Sequence, residues 1–284
     1  MRRELPRTLY TLSPEYQRQI TASDYEILLV DNNSDAPISS LSLASYGANV
    51  NHISFPGSRS PAAAINYAVR QCSGDYVMIC IDGARMLSPG LLSLSIQALQ
   101  ARPNSVVATL AWHLGLKPQT LSVDEGYNQS VEDQLLESVN WQKDGYELFR
   151  ISSFAISSNT GWFMPISESN CVCMARCTYD LLNGFDERFQ CAGGGLVNLD
   201  FYKRSCGLHN DIVVLLGEGT FHQFHGGVST NISSKDSPFE EFHQEYIRLR
   251  GESFSRPIIQ PIYFGTLPSQ CLPFLTQSLA FCQT

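Results

Sequence analysis

At 284 residues, 43% of them hydrophobic and 16% charged, the chain has the composition of a globular protein able to bury one large α/β core or two small ones. Its net charge of −8 argues against a general nucleic-acid binder, which needs a basic surface to displace counterions, but not against a small phosphate-bearing ligand held by a few cations or backbone N–H groups. No apolar run reaches the roughly 18–20 residues of a membrane helix, and no apolar stretch follows the arginines of Met1-Arg2-Arg3-Glu4-Leu5-Pro6, so a secretory signal is not expected of them; the expected location is cytoplasmic or peripheral to a membrane.

In chain order, Leu5, Leu9, Leu12 and Tyr16 share one helical face over 4–20. Tyr25–Val30 is a compact apolar strand running into the polar turn Asp31-Asn32-Asn33-Ser34-Asp35. A second strand is expected at Ala48–Phe55, then a helix from Ser60-Pro61 through Val69, with Pro61 suited to the first turn. Gly74 breaks that helix, and Asp75–Ile81 forms the next buried strand, ending at Asp82. Helix Leu91–Ala101 and strand Ser105–Trp112 follow.

The second half is less regular. It predicts a helix at Val131–Asn140, a strand at Ser169–Arg176, a helical turn at Thr178–Leu182, a helix at Asn198–Cys206 and a strand at Ile212–Leu216. Ser234–Arg250 has a charged helical pattern, and the proline-rich end, Pro257 to Thr284, is expected to wrap the surface. The strand–helix rhythm implies a mostly parallel mixed sheet flanked by helices, with ligand groups at the carboxyl ends of strands. Asp31 and Asp82 both stand at such ends, although an aspartate after a strand is also an ordinary turn residue.

Cys171-x-Cys173-x-x-x-Cys177 is the one cluster among nine cysteines. It lacks the paired spacing of a zinc site, and buried free thiols are the better reading. His222 and His225 lie three apart, where one ring is expected to reach a site, and Gly226-Gly227 favours His225. Trp112, Trp141 and Trp162 suit either a sugar face or the core. Arg59, after Pro56-Gly57-Ser58, is either a phosphate contact or a surface residue.

Taken together, the segment Tyr25–Asp35, the stretch Pro61–Asn66, Ser73–Val77 leading to Asp82, Gly184-Phe185-Asp186-Glu187, the run Gly193-Gly194-Gly195, Asp200–Arg204 and a histidine after the next strand resemble, in order, the family-2 glycosyltransferases of the GT-A fold. The resemblance covers roughly residues 4–230. It implies a single domain over 1–250, with a donor half to about 112 and an acceptor half beyond, followed by a C-terminal extension over 251–284. It also implies a nucleotide-diphosphate sugar donor and a glycan, lipid-linked or small-molecule acceptor. Asp31 and Asn33 would hold the base and ribose, and Arg59 and Arg85 the diphosphate. Asp82 with His225, or less favoured His222, would ligate a divalent cation (Mn²⁺ or Mg²⁺), which stabilises the charge growing on the leaving diphosphate.

Three departures qualify the resemblance. The family's Asp-x-Asp is Asp82-Gly83-Ala84 here, so a carboxylate is missing, and Arg85 either pairs with phosphate in its place or is a solvated surface arginine. The Glu-Asp pair that heads the acceptor helix is Val197-Asn198, leaving Glu168 and Asp200 as candidate bases, with capping or bracing of the helix as the other reading of Asp200; Asn198-Leu199-Asp200 with Arg204 is also similar to the retaining polypeptide N-acetylgalactosaminyltransferases. The apolar strand that opens the family's sheet has no counterpart ahead of Leu5, so either it is encoded upstream or another segment fills its place. Two other readings fit the same residues: a GT-A domain that binds without turnover, and a sugar-phosphate nucleotidyltransferase, which would need a basic glycine-rich loop that the sequence does not show.

Overall fold

A computed structural model describes residues 1, 3–34, 43, 49–208, 211–227 and 230–283; Asp35 and Ala48, named above, lie outside them. Helix α1 (Leu5–Thr11) is shorter than its apolar spacing predicts and gives way to turns. Leu5 and Leu9 face Ile27, Leu29 and Val50. Strand β1 (Ile27–Asn32) pairs in parallel with β2 (Val50–Phe55), which sets Asp31 opposite Ser54. Helix α2 (Ala62–Gln71) takes Pro61 as its N-cap and buries Ala62, Ala64 and Val69. Then follow β3 (Tyr76–Cys80), β4 (Arg85–Leu87), α3 (Leu91–Ala101), β5 (Val106–Leu114), α4 (Gln119–Ser122) and α5 (Gln129–Glu137). The second half adds β6 (Ser152–Phe154), β7 (Cys171–Ala175), α6 (Arg176–Leu181), α7 (Val197–Cys206), β8 (Ile212–His222), α8 (Phe239–Arg250), β9 (Ile262–Gly265) and α9 (Leu272–Phe281).

The main sheet runs β3-β7-β5-β8-β4, with β6 on β5 and β9 on β8. It is mixed: β5 and β9 lie parallel to β8, while β7, β6 and β4 run antiparallel to their partners. All nine residues of β5 are buried, as its central position requires. On one face Trp112 meets Phe149, Phe154, Trp162, Phe221 and Phe274; Trp112, Trp141 and Trp162 are all core residues. Cys171 and Cys173 are buried free thiols, with Cys171 opposite Cys80.

Strand β8 runs six residues past the predicted end at Leu216. Gly217 and Gly219 lie in that extension, and each is there because a side chain would not fit. A Cβ on Gly217 (φ +71) would lie 2.2 Å from the Thr266 carbonyl, and one on Gly219 would lie 2.2 Å from the Trp112 ring. The β5/β8 register shifts across this stretch, and Glu218 turns into the interior. There its carboxylate accepts from the Gly90 N–H (3.0 Å) and the Tyr146 hydroxyl (2.6 Å). Burial pushes the Glu218 carboxyl up to about 7. The protonated form is favoured on folding, so its contribution is fully present below the ordinary carboxyl range and is lost as pH rises through about 7. Glu218→Gln is therefore expected to gain stability relative to the parent between pH 5 and pH 8 in denaturant titrations, by at most about 3 kcal/mol at roughly 1.4 kcal/mol per pKa unit.

The C-terminal segment departs from its expectation too. It does not merely wrap the surface: β9 extends the sheet along Val213–Leu216, and α9 inserts Phe274 beside Trp112. Beyond the main sheet, β1 and β2 form a sheet of their own. Among the described residues no strand pairs with the second edge of β1 or of β3. Leu28, Leu29 and Val30 on one side and Val77, Met78 and Ile79 on the other line a cavity of about 1600 Å³, which continues past Asp82 to Asn198 and His225.

Candidate active site

Asp82 follows β3 with φ +65, a region that Asp enters more readily than most non-glycine residues. Its Oδ1 accepts from the Ala84 N–H at 2.7 Å, and this turn sends β4 back along β8 so that Arg85 faces His222. Asp82 Oδ2 then lies 3.5 Å from His222 Nε2 and 3.6 Å from Arg85 Nε. After His222 the Gln223 N–H donates to the Ala84 carbonyl (2.8 Å), and the chain turns so that His225 Nε2 stands 3.1 Å from His222 Nε2. The expectation of one ring in the site is thus corrected: both converge with Asp82, their ligand atoms all within 4.8 Å of one another.

Burial alone would raise the Asp82 carboxyl, but the Arg85 guanidinium and His222 hold it well below the ordinary carboxylate range. Burial, reinforced by Arg85 and opposed by Asp82, pushes His222 down to about 4. Burial also lowers His225, and it lowers His113, whose ring centroid is 5.6 Å from that of His222, well below the ordinary value. At neutral pH the cluster is therefore one carboxylate with neutral imidazoles. Such a donor set at this spacing fits a divalent cation with bonds of about 2.0–2.2 Å.

Arg85 is not a solvated surface residue. Its side chain is 8% exposed, its Nε donates to the Ile81 carbonyl at 2.9 Å, and its Nη1 is buried without a partner. A buried N–H left unpaired costs about 1–3 kcal/mol, and an anion seated beside it would remove that cost.

The Ile81 N–H donates to the Asn170 carbonyl at 3.0 Å, which ties the 168–170 loop to the residue before Asp82. The Glu168 carboxylate accepts from the amides of Asn198 (2.5 Å) and Asn170 (3.4 Å). Gly193, Gly194 and Gly195, all with positive φ, carry the chain to α7, whose first turn holds Asn198. A Cβ on Gly194 would meet Pro61 and Val197 at 2.8 Å. Arg59, Asp82, Arg85, Glu168, Asn198, His222 and His225 all line the one cavity. Asp31 and Asn33 do not, although Asn32 and Ser34 do. Asp31 is buried with Oδ1 accepting from the Ser34 N–H at 2.8 Å, and Asn33 has φ +59 and packs against Gly57.

The sequence model of Glycosyl transferase family 2 matches residues 3–158, more than half of the chain. The chain belongs to that family. Among curated proteins none matches it significantly. Solved structures similar to this chain include S. aureus TarS 1–349 in complex with UDP-GlcNAc (TM-score 0.56, 14% identity, 87% of this chain and 61% of that one) and the same fragment with UDP (0.53, 13%, 90% and 64%). A TarS structure of which this chain covers 38% gives a TM-score of 0.51 at 11% identity. The chain thus spans less than two thirds of these neighbours' own length, and the likeness is one of fold.

In this member of the family Asp200 follows the bracing alternative and not that of a base. It is buried and does not line the cavity. Its oxygens accept from Arg204 Nε (2.8 Å) and from Arg250 Nε and Nη2 (2.6 and 2.7 Å), and Arg250 also reaches Asp186 (2.8 Å). Asp200 therefore clamps α7 to α8 instead of facing a substrate. Removing one partner of a buried ion network leaves the others uncompensated, so Asp200→Ala is expected to cost about 3–5 kcal/mol of stability in chemical denaturation. His113 and Gln119 were not singled out by their pattern: His113 sits inside an apolar strand, and Gln119 opens a single helical turn, α4, with no apolar face to mark it.

Proposed function

We propose that the chain transfers a glycosyl group from a nucleotide-diphosphate sugar to a hydroxyl of a glycan, lipid-linked or small-molecule acceptor. The convergence of Asp82, His222 and His225 beside the unpaired guanidinium nitrogen of Arg85, on the wall of a large cavity, carries this reading. The cation these three would hold supplies charge neutralisation at the diphosphate. Two imidazoles beside one carboxylate suit Mn²⁺ better than Mg²⁺, which prefers an all-oxygen shell. Arg85 and Arg59 pair with phosphate oxygens, and the base and ribose lie toward the end of β1, where Asn32 and Ser34 line the cavity in place of the expected Asp31 and Asn33.

Glu168 is the candidate acceptor base. Its carboxylate is aimed by the two amides that donate to it, and it takes the place of the acidic residue that Asn198 replaces at the head of α7. TarS, which shares the fold, is seen with UDP-GlcNAc, so uridine donors are the first to try. Incubating the full chain with Mn²⁺ and a panel of UDP- and GDP-sugars is expected to release the nucleoside diphosphate. Binding without release would favour a non-catalytic domain, and pyrophosphate release from a nucleoside triphosphate would favour a nucleotidyltransferase.

A further inference from the structure

Gln119, at the start of α4, is fully buried and touches both histidines that end the β5/β8 pair. Its side-chain orientation is dictated by its neighbours. Nε2 faces three acceptors: the carbonyls of His222 (3.0 Å) and Leu114 (3.3 Å) and Glu132 Oε2 (3.5 Å). Oε1 therefore faces His222 Nδ1 at 2.7 Å and Asn231 Nδ2 at 2.8 Å. Asn231 cannot be turned the other way either, because its Oδ1 accepts from the backbone N–H groups of His225, Gly226 and Gly227 at 2.9, 3.1 and 3.2 Å. With donors and acceptors fixed, the proton of a neutral His222 belongs on Nδ1, where it is donated to Gln119 Oε1. His222 Nε2 then carries the lone pair, and it is the atom that faces Asp82 Oδ2 and His225 Nε2. The backbone N–H of Gln119 donates to His113 Nδ1 at 2.9 Å, which gives that ring the opposite tautomer, with its proton on Nε2.

We infer that Gln119 is a positioning residue that sets His222 as the Nδ1–H tautomer, so that its Nε2 lone pair joins Asp82 and His225 in holding a divalent cation. Through Asn231 it also braces the turn that carries His225. The inference rests on the cation-site reading above. In many metal sites the second nitrogen of a ligating histidine is fixed by a hydrogen bond in this way, and removing that partner weakens metal binding about 10–100-fold.

Gln119→Leu keeps the backbone donor to His113 but removes the acceptor for His222, so it contains its own control. The test uses the full chain with ¹⁵N-labelled imidazoles, six histidines in all, without metal. Long-range ¹H–¹⁵N spectra of the parent are expected to show His222 protonated at Nδ1 and His113 at Nε2. In Gln119→Leu the His113 pattern is retained, which also reports a native fold there, while His222 loses its fixed tautomer. Mn²⁺ affinity, read by electron paramagnetic resonance, is expected to fall about 10–100-fold. A parent His222 protonated at Nε2 would overturn the inference without any variant being made. Unchanged Mn²⁺ affinity in a folded Gln119→Leu would overturn the positioning role. Failure of the parent to bind Mn²⁺, with the tautomers as stated, would instead sink the cation-site reading and leave the tautomer assignment standing.

Discussion

Asp82→Asn is expected to lower kcat/KM by about 10³-fold, in line with the several kcal/mol that charge stabilisation at a leaving group supplies, and to abolish the stimulation of transfer by Mn²⁺. The substitution is chosen for its backbone. Asn tolerates the left-handed conformation of residue 82 and keeps an oxygen for the Ala84 N–H, so the turn into β4 survives while the charge is removed. Steady-state kinetics across a Mn²⁺ series measures both effects. The same series on Arg85→Ala separates the two cations of the site. If Arg85 binds the diphosphate beside the metal, that variant raises donor KM yet still responds to Mn²⁺. If Arg85 alone neutralises the leaving group, the parent is indifferent to chelator and Arg85→Ala is inactive.

The second large effect is expected at Glu168. Glu168→Gln should lower kcat by about 10²–10⁴-fold, the range for loss of a positioned general base, with donor KM and Mn²⁺ affinity nearly unchanged. The split matters because Glu168 is tied to Asn198 and Asn170, not to the Asp82 cluster. Asn198→Ala removes the closer of the two amides that aim the carboxylate and should give an intermediate loss in kcat. A Glu168→Gln enzyme that loses donor binding and turnover together would mark the residue as part of the donor pocket instead.

Much of the donor half was legible in the sequence because its signals are local. Apolar runs ending in Asp31 and Asp82 located β1 and β3, and the helix over Leu91–Ala101 begins and ends as its pattern predicts. The elements that were missed depend on distant partners. Strand β4 is three residues long and becomes a strand only by lying against β8. The extension of β8 through two glycines is dictated by the Thr266 carbonyl and the Trp112 ring, neither adjacent in sequence. Likewise, Glu168 stands in the sequence only as a carboxylate near the motif, and the contact with Asn198 that aims it spans thirty residues. Asp200 reads two ways in the sequence for the complementary reason. An acidic residue on the acceptor helix matches the family's pattern, yet Arg250, fifty residues on, takes both its oxygens. His222 was undervalued because alternation along a strand says nothing of a turn that brings the next histidine back beside it.

The proposed function makes the cavity beside Asp82 a donor site in which a cation and a nucleoside diphosphate bind together. Isothermal titration of the full chain with UDP and with GDP, each with and without Mn²⁺, tests it most directly. At least one of them is expected to bind at one site per chain, with affinity strengthened by Mn²⁺ and with that strengthening lost in Asp82→Asn. A folded protein that binds neither nucleotide under any of these conditions would contradict it.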